Sequence, residues 1–569
     1  MPIQFFPLRR KEDRSRSIFP VILVPLLAIA LIVGTGSFYL ANFAHAAPAD
    51  TLVAFPGTIP AALAHSKIQG PAGTQQNISL SIGLQLRNAN LLRQYVNDIS
   101  SPKSANYHRY LSQAQISSAF SPDQGTYNAV EQYLQKAGFT ITHTYTHRLL
   151  ISFRGSVGLA EQVFHVSINT YSAPNGQTFF SNSDDPFLPA SLAGAIQSIS
   201  GLNNALSWQH TPLPIHKVAA KTSFQVSPSV TCLGNGSNYY TPGQLASAYN
   251  LNGLYSQGYH GEGQTLALFE LDSAPMSDIT TFASCYGHST SPVRIVPVDG
   301  GPPPPASGDQ GPVEVELDAD IALSMAPGLG QLKIYEAPNT QQAYDDEWAQ
   351  IIQDNPPVIS TSWGSCESDV GQQEATTENN DFLLGAAQGE SIFVASGDTG
   401  STGCLRTSGS SALNAGDPAG QPYITSVGGT SLIINPDGSY NSEDTWNVAG
   451  QGASGGGISQ YWTEPSAWRT APGVNNANST GVTCSAPSGQ ICREEPDVSL
   501  HADPTNGYLI YCSVSICSPA GFYSIGGTSA AAPMWAAMTT LTDEKSIKSG
   551  GFNMGFANPL LYSIASGSH

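Results

Sequence analysis

Charge is scarce in this chain: Asp, Glu, Lys and Arg together make up 11% of its 569 residues. Basic residues are the scarcer sign, 22 against 42 acidic, for a formal net charge of −20. Such a chain repels polyanions, so nucleic acid is excluded as a partner. Cysteine is absent before position 232, and no Cys-x-x-Cys or paired His stands at zinc-ligand spacing, which argues against a zinc site. No internal repeat is present, so a solenoid is not expected. What is plentiful is Gly (56) and Pro (40), the residues of turns and loops, in a length that calls for two or three folded units.

The two ends of the chain differ in charge. Residues 1–214 carry 13 basic and 9 acidic residues, net +4; residues 215–569 carry 9 and 33, net −24. An acidic body suits work at low pH, where protonation relieves its self-repulsion, although a solvated acidic surface reads the same way. All eight cysteines (232, 285, 366, 404, 484, 492, 512 and 517) lie in the acidic part. An even count in an exported chain reads as disulfides, with pairing of sequence neighbours one of 105 possible connectivities. Export is indicated by Arg9, Arg10, Lys11, Arg14 and Arg16 ahead of an uncharged run over 18–44 and an Ala44-His45-Ala46 cleavage pattern. That run is also long enough to span a bilayer, so residues 1–46 are either a signal peptide or a membrane anchor that keeps the protein at a membrane.

Residues 50–207 read as a small α+β unit. An amphipathic helix is expected over 127–137, strands over 140–145 and 149–154, a helix over 157–164 and a strand over 165–171. Residues 208–231 are rich in Pro, Ser, Lys and Ala without periodicity, and read as a linker and processing region. From 232 onward, apolar strands at 265–270, 332–337, 358–361 and 392–395 alternate with helical stretches. That pattern predicts a parallel sheet with helices on both faces and active residues past the strands' C-terminal ends.

The chemistry is concentrated in three places. In Gly526-Gly527-Thr528-Ser529, two glycines allow a sharp turn and Ser529 opens an Ala-rich helix. Pro533 sets that helix's first turn, and unpaired N–H groups there favour a developing negative charge. A buried glycine-rich helix start is the alternative reading. Of the histidines well inside the acidic part, His260, His288 and His501, none has a local setting that marks it as the base for this serine. Glu314 and Asp318 stand four apart, so on a helix they share a face beside an apolar stripe of Leu317, Ile321 and Met325. Neighbouring carboxylates raise one another's proton affinity and suit acid-range proton transfer. First-turn capping and a cation site on a strand face remain open for the same residues. Asp398, in the loop Ser396-Gly397-Asp398 after a buried-strand pattern, is a turn-former or, when protonated, a hydrogen-bond donor to an oxyanion.

Taken together and in this order, Glu314-x-x-x-Asp318, Ser396-Gly397-Asp398 and Gly527-Thr528-Ser529-x-x-x-Pro533 resemble the sedolisin family of serine-carboxyl peptidases. Supporting matches include Tyr110-Leu111, Glu161-Gln162-Val163-Phe164, Tyr240-Thr241-Pro242, Ser362-Trp363-Gly364, Ser454-Gly455-Gly456-Gly457 and Pro496-Asp497-Val498. The resemblance implies a subtilisin-like α/β fold over 232–569 and a ferredoxin-like activation propeptide over 50–207. It implies a secreted, acid-acting serine endopeptidase made as a zymogen and acting on proteins and peptides as a monomer. Ser529 would be the nucleophile, Glu314 the base, Asp318 its partner and Asp398 the oxyanion donor, with Glu270 and Trp363 extending the proton network. Ser362, Gly364, Ser454, Gly455 and Gly456 would bind substrate. The +4 propeptide would inhibit in cis, its attraction to the −24 body weakening as carboxylates protonate. The family also implies Ca²⁺, bound by an Asp-Ile/Val pair and a later Gly-rich loop ending in Asp. No carboxylate follows Glu544 in this sequence, so those ligands are absent from it and an impaired, binding-only protein of the same fold is the alternative.

Overall fold

A computed structural model of the protein describes residues 50–209, 215–218, 223–227, 230–236, 238–405, 407 and 409–567. The expected segment over 18–44 lies outside them; among the described residues no helix is long and apolar enough to cross a membrane. The N-terminal part is a four-stranded antiparallel sheet with helices on one side. Its elements are β1 (Asn77–Leu84), α1 (Gln124–Ala137), β2 (Thr140–Thr144), β3 (Leu150–Ser156), α2 (Val157–Phe164) and β4 (Ile196–Ser200), with strand order β2-β3-β1-β4. That order and connectivity are ferredoxin-like. Asp123 caps α1 by accepting the Thr126 N–H, and Gly138 ends it at φ 108°, a conformation that favours glycine. Tyr127, Val130 and Leu134 face inward onto Leu80, Ile82 and Phe153. The strand expected from 165 starts at Ile168, because His165 caps α2 in the left-handed region at φ 54°.

The C-terminal part is built on an eight-stranded sheet. Its elements are β5 (Thr265–Glu270), β6 (Val293–Pro297), α3 (Gly311–Met325), β7 (Gln331–Glu336), α4 (Gln341–Asp354), β8 (Val358–Thr361), α5 (Gln372–Gln388), β9 (Ser391–Ala395), β10 (Thr425–Ile434), β11 (Tyr440–Thr445), β12 (Val498–His501) and α6 (Thr528–Lys548). The order β6-β7-β5-β8-β9-β10 is parallel throughout, with β11 antiparallel and β12 parallel to β10. Each central strand is apolar on both faces. In β5, Leu266 and Leu268 join the core shared with α3 and α6, while Ala267 and Phe269 join the core shared with α4 and α5. Burial on both sides is what a parallel sheet requires, and it places β5, β8 and β9 at the centre with their C-terminal ends together.

Four disulfides join sequence neighbours, Cys232–Cys285, Cys366–Cys404, Cys484–Cys492 and Cys512–Cys517. The region expected to be a linker contains paired segments. His216–Lys217 pairs with Ser524 and Tyr523, and Ser223–Ser227 pairs with Val230–Leu233. Pairing with a neighbouring strand supplies the regularity that the local sequence does not.

The two parts meet along a polar seam. Ser81 Oγ donates to Asp345 (2.6 Å), Tyr145 OH to Asp346 (2.7 Å) and Ser200 Oγ to Glu374 (2.7 Å). His143 stands 3.2 Å from Asp299 and 3.7 Å from Asp346. Burial raises the proton affinity of Asp345, Asp346 and Glu374. These contacts therefore retain their protons when docked, and a hydroxyl bonds a neutral carboxyl as well as an ionised one.

Candidate active site

Ser529 is the second residue of α6, 2% exposed, behind Gly527 at φ 132°. Gly526 is equally constrained, since a Cβ there would lie 2.5 Å from the Ala502 carbonyl oxygen. The expectation that Pro533 marks the first turn is corrected: it lies inside the helix. Lacking an N–H, it cannot bond the carbonyl four residues back, which is that of Ser529. Ser362 Oγ, 3.3 Å away, bonds that carbonyl instead.

Glu314 lies in the first turn of α3 and Asp318 one turn on, both with no exposure to solvent. The helix is buried on all sides, so the apolar stripe expected at Leu317, Ile321 and Met325 is one part of a wholly enclosed surface. The segment is a helix, so the strand-face cation arrangement does not arise. Ser529 and Ser362 hydrogen-bond Glu314, but desolvation dominates and pushes its carboxyl up to about 8, with Asp398 adding repulsion. Asp318 is raised well above the carboxylate range by burial, then by Glu270 and Glu314. Ser362 Oγ lies 3.1 and 2.9 Å from the two Asp318 oxygens. A hydroxyl has one proton, so donation to the Ser529 carbonyl leaves Ser362 accepting from a protonated Asp318. Glu270, at the end of β5, accepts from Trp363 Nε1 at 2.8 Å and is hydrogen-bonded to Asp318, its own carboxyl raised by burial. Glu270, Trp363, Asp318, Glu314 and Ser529 thus form one connected chain.

Asp398 follows β9, 2% exposed, and its Oδ1 accepts from the Thr528 N–H at 2.8 Å and the Thr528 hydroxyl at 2.9 Å. Thr528 Oγ1 in turn accepts the Gly397 N–H at 3.0 Å, which ties the loop to the helix start. The carboxyl is thereby held beside Ser529 in a cleft of about 610 Å³ also lined by Ser362 and Gly364. Gly364 exchanges both backbone hydrogen bonds with Gln209 at the cleft's edge. Ser454 and Gly455 stand behind the Asp398 loop: Ser454 Oγ accepts the Gly429 N–H, and the Gly455 N–H goes to the Gly397 carbonyl at 2.6 Å. Gly456 lies against Glu495 and Pro496. These three support the cleft's wall. Sequence reading missed the Thr528 clamp and the hydroxyl of Ser362, whose partners come from distant segments.

The histidines are placed away from this chemistry. His501 Nε2 bonds the Asn506 carbonyl at 2.9 Å, its Nδ1 accepts the Leu432 N–H at 3.2 Å, and burial lowers its proton affinity. His260 stacks on Tyr255, and burial likewise lowers His288. The carboxylates that follow the serine do not fit a calcium site. Asp543 accepts the Met554 N–H, and Glu544 accepts the N–H groups of His260 and Gly261. Among the described residues, one group with ligand-like spacing occurs, His143, Asp299 and Asp346, at the seam between the two parts.

Residues 64–205 match the family described as Pro-kumamolisin, activation domain, and residues 321–549 match the Subtilase family. Kumamolisin of Bacillus sp. (strain MN-32) is 28% identical over 503 residues, covering 87% of this chain and 85% of that protein. Sedolisin of Pseudomonas sp. (strain 101) is 27% identical over 522 residues, 89% of this chain and 83% of that one. Tripeptidyl-peptidase 1 of Rattus norvegicus is 28% identical over 511 residues, with coverages of 87% and 84%. The chain thus carries an activation domain in tandem with a subtilase domain and is similar, along most of its length, to the sedolisin family of serine-carboxyl peptidases.

Proposed function

We propose that the protein is exported as a zymogen and, once processed, hydrolyses peptide bonds in acid through Ser529, Glu314, Asp318 and Asp398. The observation that carries this reading is the meeting of three groups in one buried site: Ser529 hydrogen-bonded to Glu314, with Asp398 fixed on the Thr528 amide beside them. Ser529 Oγ attacks the carbonyl carbon as its proton passes to the Glu314 carboxylate. Asp398, as the neutral acid, donates to the oxyanion. The C–N bond then breaks, Glu314 returns the proton to the departing amine, and water releases the acyl group by the same steps in reverse. Asp318 and Glu270 hold the charge that Glu314 gains or loses. Glu314 accepts only when ionised and Asp398 donates only when neutral, so activity is confined to a pH window and falls on its alkaline side as Asp398 ionises. Four disulfides and the export pattern support an extracellular site of action.

Acidification of the purified precursor tests the reading. Wild type is expected to shorten within residues 208–231 and then to hydrolyse casein. Ser529→Ala and Glu314→Gln should do neither, with losses on the order of 10⁴-fold in turnover. Equal shortening of wild type and Ser529→Ala in the absence of other proteases would rule out self-cleavage.

A further inference from the structure

Where the activation domain gives way to the cleft, two consecutive residues are held in different ways. Gln209 pairs with Gly364 through both backbone groups, at 2.8 and 2.9 Å, as a strand would. One residue earlier, the Asn339 side-chain amide does the same for Trp208. The Trp208 N–H donates to Asn339 Oδ1 at 3.0 Å, and its carbonyl accepts from Nδ2 at 2.8 Å. The Trp208 ring lies flat on Tyr344, 3.6 Å between centroids and 4° between planes, and is 1% exposed. Tyr344 is itself fixed edge-on by Phe269 and Trp348, at 5.0 and 6.4 Å.

Three properties of this slot go beyond anchoring one tryptophan. Both hydrogen bonds from Asn339 go to main-chain atoms of Trp208, which any extended peptide carries. The residues that bond the Trp208 main chain and stack on its ring, Asn339 and Tyr344, and the aromatic residues behind Tyr344 all belong to the peptidase domain. Trp208 Nε1 has no hydrogen-bond partner among the described residues, so the slot reads a flat apolar face and not the indole N–H. The slot is also continuous with the cleft, since the next residue is the one on Gly364.

We propose that Asn339 and Tyr344 form a substrate subsite of the processed enzyme, taking a large aromatic side chain one residue N-terminal to the residue that pairs with Gly364. Residues 208–209 are its first occupants, and proteins or peptides with a Trp, Phe or Tyr at that position are its later ones. The assignment deepens the zymogen reading above and rests on it. Asn339 orients the backbone, and Tyr344 selects the side chain.

The test uses three blocked tetrapeptides: Leu-Ser-Trp-Gln, copied from residues 206–209, and its counterparts with Phe or Ala in place of Trp. Their binding to the acid-processed protein is measured by calorimetry, alongside casein hydrolysis by the same preparation. The Trp and Phe peptides are expected to bind at least about 10-fold more tightly than the Ala peptide. Asn339→Ala should weaken all three by a similar factor and preserve their ratio, since it removes only main-chain bonds. Indifference to the Trp, Phe or Ala identity in a preparation with Ser529-dependent hydrolysis overturns the subsite and leaves the peptidase reading standing. A precursor that neither shortens nor shows Ser529-dependent hydrolysis overturns the peptidase reading, and the subsite with it.

Discussion

Ser362 has one hydroxyl proton and lies among the Asp318 carboxyl, the Glu314 carboxyl and the Ser529 carbonyl. Pro533 makes the third of these necessary, because the Ser529 carbonyl has no helical N–H to meet it. Ser362→Ala should therefore destabilise the fold by about 1–3 kcal/mol, the cost of leaving buried acceptors unmet, as measured by urea denaturation. Restoring the helical N–H with Pro533→Ala should recover part of that loss in the double variant. An identical cost for Ser362→Ala with and without Pro533 would disprove the connection between the two residues. The sequence marked Ser362 as a substrate-binding residue of Ser362-Trp363-Gly364, not as the hydroxyl between Asp318 and the Ser529 carbonyl. Its hydroxyl's role depends on α3 and α6 arriving on either side of it, and local pattern does not encode that.

At the scale of elements, the Asp398 loop is held from behind by the segment at 454–457. A Cβ on Gly455 would lie 1.9 Å from the Ser396 carbonyl oxygen, a backbone atom that cannot move without moving Asp398. Gly455→Ala should cost about 2–4 kcal/mol and lower hydrolysis with it, read from the denaturation midpoint and acid casein assay. Gly243→Ala, at a helical position with no atom within 4 Å of the added carbon, serves as the comparison and should leave both unchanged. Four strands of the central sheet, β5, β7, β8 and β9, were legible because each is a short apolar run between turn signals, whereas β6, β10, β11 and β12 toward its edges were not picked out. α3 was legible as a helix but not as a wholly buried one. Its acidic residues look like a solvent face until α6 and the sheet close over them. Spacing alone also leaves Glu314 with Asp318 and Glu316 with Asp320 as equivalent pairs. The fold separates them, sending the second pair toward Asp278.

Across the whole molecule, buried carboxyls outnumber the cations that could neutralise them. Burial pushes Glu316 up to about 10, Glu367 to about 8, and Glu336, Glu495 and Asp543 to about 7. In the unfolded chain such groups release their protons near pH 4. Below that both states are protonated and the stabilising contribution is fully present. Between about 4 and the raised values the native state holds protons that the unfolded chain has lost, so stability falls with each step up in pH. The Tm of the full-length Ser529→Ala chain should thus be higher at pH 4.5 than at pH 8, by at least about 5 °C in calorimetry. A flat or rising Tm across that range would contradict the burial of these carboxyls.

The sequence by itself determined the parts: the strand-forming runs, the nucleophile at a glycine-bounded helix start, the four-residue spacing of Glu314 and Asp318, and a cysteine set made for an oxidising compartment. Each of these is set by local pattern and side-chain chemistry. Tertiary structure alone decided which carboxyls meet the serine, which hydroxyl links them, and where the chain from the activation domain lies in the cleft. Those relations depend on desolvation and on contacts between residues far apart in the chain, as with Ser362 and Ser529 or Trp208 and Tyr344, and they come into being only when the sheet brings its strand ends together.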